Sequence, residues 1–426
     1  MSSRLITIFF SAIFFFCILF NLAIADEILT WQDCVREAAK NHPDLISAEE
    51  KVKQSEADKK ITGSALLPQV DGTVSASTAK TDTGTTSSTT DSYSYGASGT
   101  QLLFDGTKSI NEVKSAAEDI KAAQFNYKFV SSNVRLRLRS AFINLLRAQE
   151  LARITEEIFD IRRSNLVSIT LRYESGLEHK GALLTSEANL AQASLEIAQA
   201  KRELELRQRE LVKEMGRDEV NPVKVSGDFE VANAEREKPD FAVLIKNNPS
   251  LLKTISQKTS AEFGLKSNYA EFYPSLSAKA GTSKSGANFL PENDQWNMGL
   301  ALSYPLFEGG LRSAKISKAE ALLNQLKADE KSTKDVLTLA LEEAWVGLQD
   351  AIDNVSVQKK FLQAVEARAV ISEAQYSLGL IKFDDWTIIE DDLVRKKKSF
   401  LDAEAEALLA EANWVQAKGE VLYVKN

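Results

Sequence analysis

The chain has 426 residues, of which 44% are hydrophobic and 26% charged, with 8 Pro, 19 Gly, 2 Cys and 2 His. That composition excludes a disordered polymer, a many-span helical carrier, a disulfide scaffold and a Cys/His metal cluster. A net charge of −8 argues against nucleic acid as a partner, because phosphate contacts need clustered Lys and Arg.

The first element is an export signal. Ser2, Ser3 and Arg4 lead into an apolar run from Leu5 to Leu22, and Ala23-Ile24-Ala25 supplies the small-x-small pattern before Asp26. That order predicts cleavage after Ala25, and the run is also long enough to serve as an uncleaved anchor. A mature chain from 26 would keep one thiol, Cys34, read as a packing residue on the first helix.

Beyond the signal the chain repeats itself. Asn41 and Pro43 recur as Asn247 and Pro249, and Pro68 as Pro274, at an offset of 206. From Phe104 and Gly106 onward the offset is 203, pairing Tyr173 with Tyr376, Gly176 with Gly379, Leu177 with Leu380, Glu187 with Glu390 and Gly216 with Gly419. Such a fixed register predicts a duplication. The first repeat spans 26–215, a linker 216–240, the second repeat 241–418 and a tail 419–426.

Each repeat reads as four parts. A helical stretch (30–65, 240–271) precedes a Ser/Thr/Gly-rich segment (66–104, 272–307), a very long helix (107–173, 310–376) and a return helix (178–215, 384–418). No Pro interrupts either long run, and Val134, Leu138, Ala141, Leu145, Ala148 and Leu151 recur at helical spacing, as do Leu337, Leu341, Ala344, Leu348, Ile352 and Val355. A run of 67 residues would be a rod of about 100 Å, so it must lie along partner helices, with the two shorter helices stacked end to end beside it.

In the Ser/Thr-rich segments, Trp296, Met298, Leu300, Leu302 and Tyr304 alternate with small or polar residues. The dyad predicts strands of about ten residues, long enough to cross an outer membrane when tilted. Thr81–Asp91 and Lys284–Asp294 would be the outward tips. Phe104, Phe272, Tyr273, Tyr304 and Phe307 would form an interfacial aromatic girdle at the helix-proximal ends. Two amphipathic hairpins capping a soluble rod fit the same pattern. If the strands do cross lipid, four per chain cannot close a barrel, so several copies must share one. No Ser-His-Asp set, metal-ligand spacing or phosphate loop is present, so no enzymatic activity, cofactor or metal is expected.

Several motifs give the chain a family likeness. These are the Asn-x-Pro-x-Leu starts at Asn41 and Asn247, Leu67-Pro68, Tyr273-Pro274, and Tyr304-Pro305-Leu306-Phe307-Glu308-Gly309-Gly310. The turns Arg172-Tyr173-Glu174-Ser175-Gly176-Leu177 and Gln375-Tyr376-Ser377-Leu378-Gly379-Leu380 complete the set. With them the chain resembles the outer-membrane efflux protein (TolC) family over nearly all of 28–420. The resemblance implies a mainly α fold with a small β part, a homotrimer of long antiparallel coiled-coil helices forming an α-barrel, and a shared twelve-stranded β-barrel. It implies an outer-membrane exit duct of a tripartite efflux pump or type I secretion system in a Gram-negative bacterium, reaching into the periplasm. Its partners would be outer-membrane lipid, a periplasmic adaptor, and an inner-membrane pump or ABC transporter.

The resemblance also implies a periplasmic constriction at Tyr376 and Asp385, with Asp384 beside it. The next family acidic position falls on Ile388 and the first-half counterpart on Ala182, so both carboxylates are lost there. An Asp opening a helix is equally an ordinary N-cap. The hairpin tips Tyr173, Gly176, Leu177, Gly379 and Leu380 would meet the adaptor. Outside the resemblance, Arg135, Arg137, Arg139 and Lys396–Lys398 read as solvated faces, and His42 and His179 as structural. A coiled-coil scaffold without channel activity is the competing reading.

Overall fold

A computed structural model describes residues 27–218, 222–231 and 237–422; the predicted signal segment lies outside them. A short strand β1 (Glu27–Leu29) precedes helices α1 (Trp31–Asn41) and α2 (Pro43–Ser64). The hairpin β2 (Gln69–Asp82) and β3 (Ser87–Phe104) leads into α3 (Lys108–Glu174) and α4 (Lys180–Met215). After β4 (Val223–Val225) come α5 (Phe241–Lys246), α6 (Pro249–Ala270), β5 (Ser275–Gly286), β6 (Asn293–Ser303), α7 (Leu311–Ser377) and α8 (Phe383–Ala417). The molecule is thus mainly helical with a small sheet part. Elements of the two halves agree in order and nearly in length: α3 and α7 have 67 residues each, α4 has 36 and α8 has 35.

The opening helical stretch of each half is broken, not continuous. His42 and Asn248 both precede proline, which disfavours helical backbone, and both sit extended (ψ 122° and 127°). Each then caps the next helix with its side chain: His42 Nδ1 accepts from the Asp44 N–H at 3.1 Å and Asn248 Oδ1 from the Ser250 N–H at 2.9 Å. Proline at the first helical position loses no hydrogen bond there. The expected single helix over 30–65 is therefore an 11-residue and a 22-residue helix joined at a corner.

The return helices end against those corners. Gly216 terminates α4 with φ 76°, and a Cβ there would lie 2.5 Å from the Asn41 carbonyl oxygen. Gly419, just past α8, has φ 81°, and its Cβ would lie 2.6 Å from Pro249 Cδ. In each half, then, the end of the return helix meets the corner that starts α2 or α6, and in the first half α2 with α4 runs alongside α3.

The core sits at mid-rod. Val134, Leu138, Ala141, Phe142 and Leu145 of α3 pack with Cys34, Val35 and Ala38 of α1, Leu211, Val212 and Met215 of α4, Val223 and Val225 of β4, and Leu422. Val223 and Val225 of the linker and Leu422 of the tail therefore pack against the middle of the rod. A second cluster joins Leu341, Trp345 and Leu348 of α7 to Trp414 of α8 and Phe241 and Ile245 of α5. Helix α8 also meets α3 through Ile143, Ala405 and Leu408, and through Ile154, Ile158 and Leu401. The predicted α3 stripe is buried from Val134 to Ala148, but α7 buries only Leu341 and Leu348 of its stripe and leaves Val336, Leu339, Val346, Val357 and Phe361 exposed.

The basic runs form ties between segments, contrary to the solvated-face reading. Arg135 reaches Glu420 at 3.5 Å and Arg139 lies over the Trp31 ring. Arg137 bonds Glu214 at 3.1 Å and also Asp44. Lys397 and Lys398 bond Glu157 (2.5 Å) and Glu196 (2.6 Å), while Lys396 lies over Phe361. Alternate positions on a helix diverge by some 200°, so Arg137 turns to α2 and α4 while Arg135 and Arg139, about 40° apart, share the opposite face, where Arg139 also reaches Glu411 at 4.0 Å.

Candidate functional site

The four longer strands form one antiparallel sheet in the order β2-β3-β5-β6. At 14, 18, 12 and 11 residues they exceed the expected ten, because β2 and β3 stay paired up to Asp82 opposite Ser87. The first tip is therefore a four-residue turn, not the eleven-residue loop expected. The Thr83 N–H donates to the Thr86 carbonyl at 3.0 Å, and Gly84 takes φ 77°.

Directly paired residues share a face, so the register sorts the sheet into two surfaces. One carries Val70, Val74 and Ala76 of β2, Tyr93, Tyr95 and Ala97 of β3, Leu276, Ala278 and Ala280 of β5, and Trp296, Met298, Leu300 and Leu302 of β6. The other carries Thr73, Ser75, Ser94, Ser98, Thr100, Ser275, Ser277, Ser283, Asn297 and Ser303, with Asp71 and Lys279 as its charges. Within one chain most of the apolar face is bare: Trp296, Met298, Leu300 and Leu302 are 69–80% exposed. Toward the outer tip the apolar face becomes polar at Thr78, Lys80 and Asp82, opposite Asp91, Thr89 and Ser87. Its apolar stretch is about seven residues, roughly 24 Å along the strand and about 18 Å in height at the usual barrel tilt, within the ~25 Å apolar band of an outer-membrane barrel.

At the other end the five girdle aromatics Phe104, Phe272, Tyr273, Tyr304 and Phe307 are all exposed where strands meet helices. Phe272 lies under the Arg312 guanidinium, 5.5 Å from its centroid. Gly106 (φ 69°) opens the turn into α3, and a Cβ there would overlap Tyr273 Cβ at 2.5 Å. Glu271 ties this junction together. Burial alone would raise its carboxyl, but Lys108 (2.8 Å) and Lys315 (2.7 Å) outweigh that and hold it below its usual range.

The far end consists of two matched helical turns. The Leu177 N–H donates to the Arg172 carbonyl and the Leu380 N–H to the Gln375 carbonyl, both at 2.8 Å. Gly176 and Gly379 each take φ 73° with open space around them, the left-handed close of a helix end. Tyr173, Leu177 and Leu380 stand exposed at this tip, together with Leu378.

Tyr376 occupies a different environment from its counterpart Tyr173. It is 5% exposed and packs with Ile169, Ala182, Phe383 and Trp386. Its ring stacks on Trp386 (centroids 4.6 Å apart, 1° between planes), and the Arg172 guanidinium lies 4.7 Å from its centroid. The hydroxyl donates to Glu178 Oε2 at 2.7 Å. Burial, and then that bond, push the phenol well above its ordinary range, so it remains a donor at any physiological pH. Asp384 and Asp385 lie in the first turn of α8 but point to solvent, and the N-cap is Lys382. The N-cap role expected of an Asp is thus corrected, while carboxylates in a first turn still suit the helix dipole. Within one chain the structure does not bring Tyr376 and the two aspartates together.

Sequence reasoning missed the partners of Tyr376. Phe383 and Trp386, one turn apart, and Glu178, one residue past Leu177, were legible as an aromatic pair and a turn acid. A polar layer just above also went unread. Arg162 donates to Asp391 at 2.6 Å, and Glu390 is buried beside it, facing Arg162 and Asn165 of α3, Glu373 of α7 and Asp391. Burial raises the Glu390 carboxyl, and Arg162 only partly offsets this. A carboxyl raised in the folded state costs stability above its raised value and recovers it as pH falls through that value toward the unfolded one. Glu390→Gln is therefore expected to slow amide exchange across 383–394 at neutral pH and to leave it unchanged well below pH 4.5. Equal protection of both proteins at neutral pH would show that the buried charge costs nothing.

Comparison with known proteins agrees with this geometry. A model of the family described as outer membrane efflux protein matches residues 34–217 and 242–420. BepC, an outer membrane efflux protein of Brucella suis biovar 1 (strain 1330), is 22% identical over 420 residues, covering 95% of this chain and 88% of its own. A solved structure of CusC superposes with a TM-score of 0.84 at 19% identity, covering 94% of this chain and 95% of that one. The CmeC outer membrane channel of Campylobacter jejuni gives 0.81 at 18% identity, covering 91% and 84%. With the family model matched over both halves, the chain belongs to the outer membrane efflux protein family, whose members sit in the outer membrane of Gram-negative bacteria and extend into the periplasm.

Proposed function

We propose that three copies of the chain pool their strands into one twelve-stranded barrel and their helices into a hollow shaft. The assembly then serves as a passive exit duct for a tripartite efflux pump or a type I secretion system. The observation that carries this is the bare two-faced sheet. Its edges β2 and β6 present unpaired backbone over 14 and 11 residues, which lipid does not tolerate unless another strand pairs there. Pairing β6 of one copy with β2 of the next removes both edges. The apolar residues that α7 leaves exposed would be covered in the same step, and the duplication would give each chain two equivalent sixths of the wall. Energy would come from an inner-membrane transporter coupled through a periplasmic adaptor, with Tyr173, Gly176, Leu177, Gly379 and Leu380 as the contact surface at the tip.

The constriction would lie at the same tip. Three copies would bring six carboxylates from Asp384 and Asp385 near one axis, a ring that attracts cations. The Tyr376–Glu178 bond would act as the latch, joining the second helical hairpin to the first.

The test is recovery of a heat-sensitive trimer from the outer-membrane fraction and its conductance in planar bilayers. A monomer in the soluble periplasmic fraction would overturn the duct. Given a channel, Tyr376→Phe deletes the latch bond and is expected to raise single-channel conductance, and Asp385→Ala to weaken block by divalent cations. Conductance and block that match the unmodified protein in both variants would remove the constriction from this tip.

A further inference from the structure

The turn between β5 and β6, residues 287–292, does not extend away from the sheet. It doubles back onto one face. The Tyr95 hydroxyl donates to the Phe289 carbonyl at 2.6 Å, across 194 residues of sequence. The Phe289 ring meets Tyr93 and Tyr95 edge-on, with centroids 5.8 and 6.2 Å apart. Pro291 is buried and lies over Gly286, where an added Cβ would come within 3.1 Å of it. Tyr95 pairs with Val74 and Lys284, and Lys284 with Asp294, two residues before Trp296. The turn therefore covers the same face as Val74, Trp296 and Met298. The hydroxyl-rich face is left clear.

Three contacts hold the turn down, yet its two apolar side chains are not consumed by them. Phe289 is 69% exposed and Leu290 79% exposed. The level is set by the charges around it: the Lys284–Asp294 ion pair (3.1 Å) lies beside Tyr95, and the β2–β3 hairpin continues past the last β5 pair, Tyr93 with Gly286, into Lys80, Asp82 and Asp91. Charges at that height belong among headgroups, and aromatic side chains at that height belong at the boundary between headgroups and acyl chains.

We propose that residues 287–292 form a lipid-side anchor, with Phe289 and Leu290 inserted at the headgroup–acyl boundary of the outer leaflet and the second turn held off the pore mouth. This rests on the barrel reading above. It assigns the partner as lipid of the outer leaflet, and it supplies the outer girdle that the sequence, with its five aromatics all at the inner rim, did not show.

Nitroxide labels placed one at a time by Phe289→Cys, Leu290→Cys, Thr85→Cys and Leu300→Cys test it, in the full chain carrying Cys17→Ala and Cys34→Ala and reconstituted in vesicles. Collision with oxygen, enriched in hydrocarbon, is compared with collision with a water-soluble nickel complex. The oxygen-to-nickel ratio is expected to be several-fold higher at 289 and 290 than at 85 and to approach that at 300. A lipid-like ratio at 300 with ratios at 289 and 290 equal to that at 85 would overturn the anchor alone. A water-like ratio at 300 would remove the barrel reading and the anchor with it.

Discussion

Leu300→Arg is expected to abolish recovery of the protein as a membrane trimer, whereas Ala301→Arg, one residue along, leaves assembly intact. Leu300 is 69% exposed near the middle of the apolar face, and its pairing with Ala278 fixes that face. An arginine at the lipid midplane of a barrel costs about 2–4 kcal/mol, and every copy in an assembly carries it. Ala301 pairs with Ser277 on the opposite, hydroxylated face, where a guanidinium remains in water. There the effect appears in transport: three added cations in the lumen should lower conductance and shift selectivity toward anions. Membrane fractionation with heat-dependent gel mobility checks the first variant and reversal potentials in a salt gradient the second. Equal behaviour of the two would mean the faces are wrongly assigned.

Gly216→Ala is expected to be the most damaging single-methyl change in the helical part. Two effects add at that position. A non-glycine residue at φ 76° costs about 1–2 kcal/mol, and the new Cβ would stand 2.5 Å from the Asn41 carbonyl oxygen, a backbone atom that moves only if the α1–α2 corner moves. The total is expected to be on the order of 3 kcal/mol or more, in the range of other strained sites. Gly176→Ala is the internal control. Gly176 has a similar φ of 73°, yet nothing lies within 4 Å of its added Cβ, so only the conformational part applies. Helical melting followed by circular dichroism should rank Gly216→Ala well below Gly176→Ala. The same midpoint for both would show that the contact at Asn41 is soft.

Much of the fold was legible because its signals are long. A 67-residue run without proline has few structures open to it, and the Tyr304-to-Gly310 and Tyr376-to-Leu380 motifs carry turn chemistry at fixed places. What failed was local or three-dimensional. The corner at His42 was in view as Asn-His-Pro, yet helical periodicity on both sides masked it. Arg135, Arg137 and Arg139 looked like a charge run because sequence spacing does not say what faces a helix; Glu420, Glu214 and the Trp31 ring lie far away in the chain or on other elements. Strand faces were half legible: β6 alternates plainly, but β2 and β3 contain so many Ser, Thr and Gly that only the observed register assigns them. Tyr376 shows the limit of reasoning by correspondence. It lies in the last turn of the long helix, not after it, and its stack on Trp386 depends on Phe383 and Trp386 turning inward while Asp384 and Asp385 turn out.

The length of α3 has a mechanical consequence. Its buried contacts with α1, α4 and β4 gather around Phe142 and Leu145, about 30 residues above the turn at Gly176, a lever arm of roughly 45 Å. Tilting that arm by 1° swings its end by about 0.8 Å, so about two degrees of tilt already exceeds the slack in a hydrogen bond. A bond of 2.7 Å between Tyr376 and Glu178 thus reports on the angle at a fulcrum dozens of ångströms away, and the contacts of α3 with α8 at Ile154, Ile158 and Arg162 are what resist that tilt on the way.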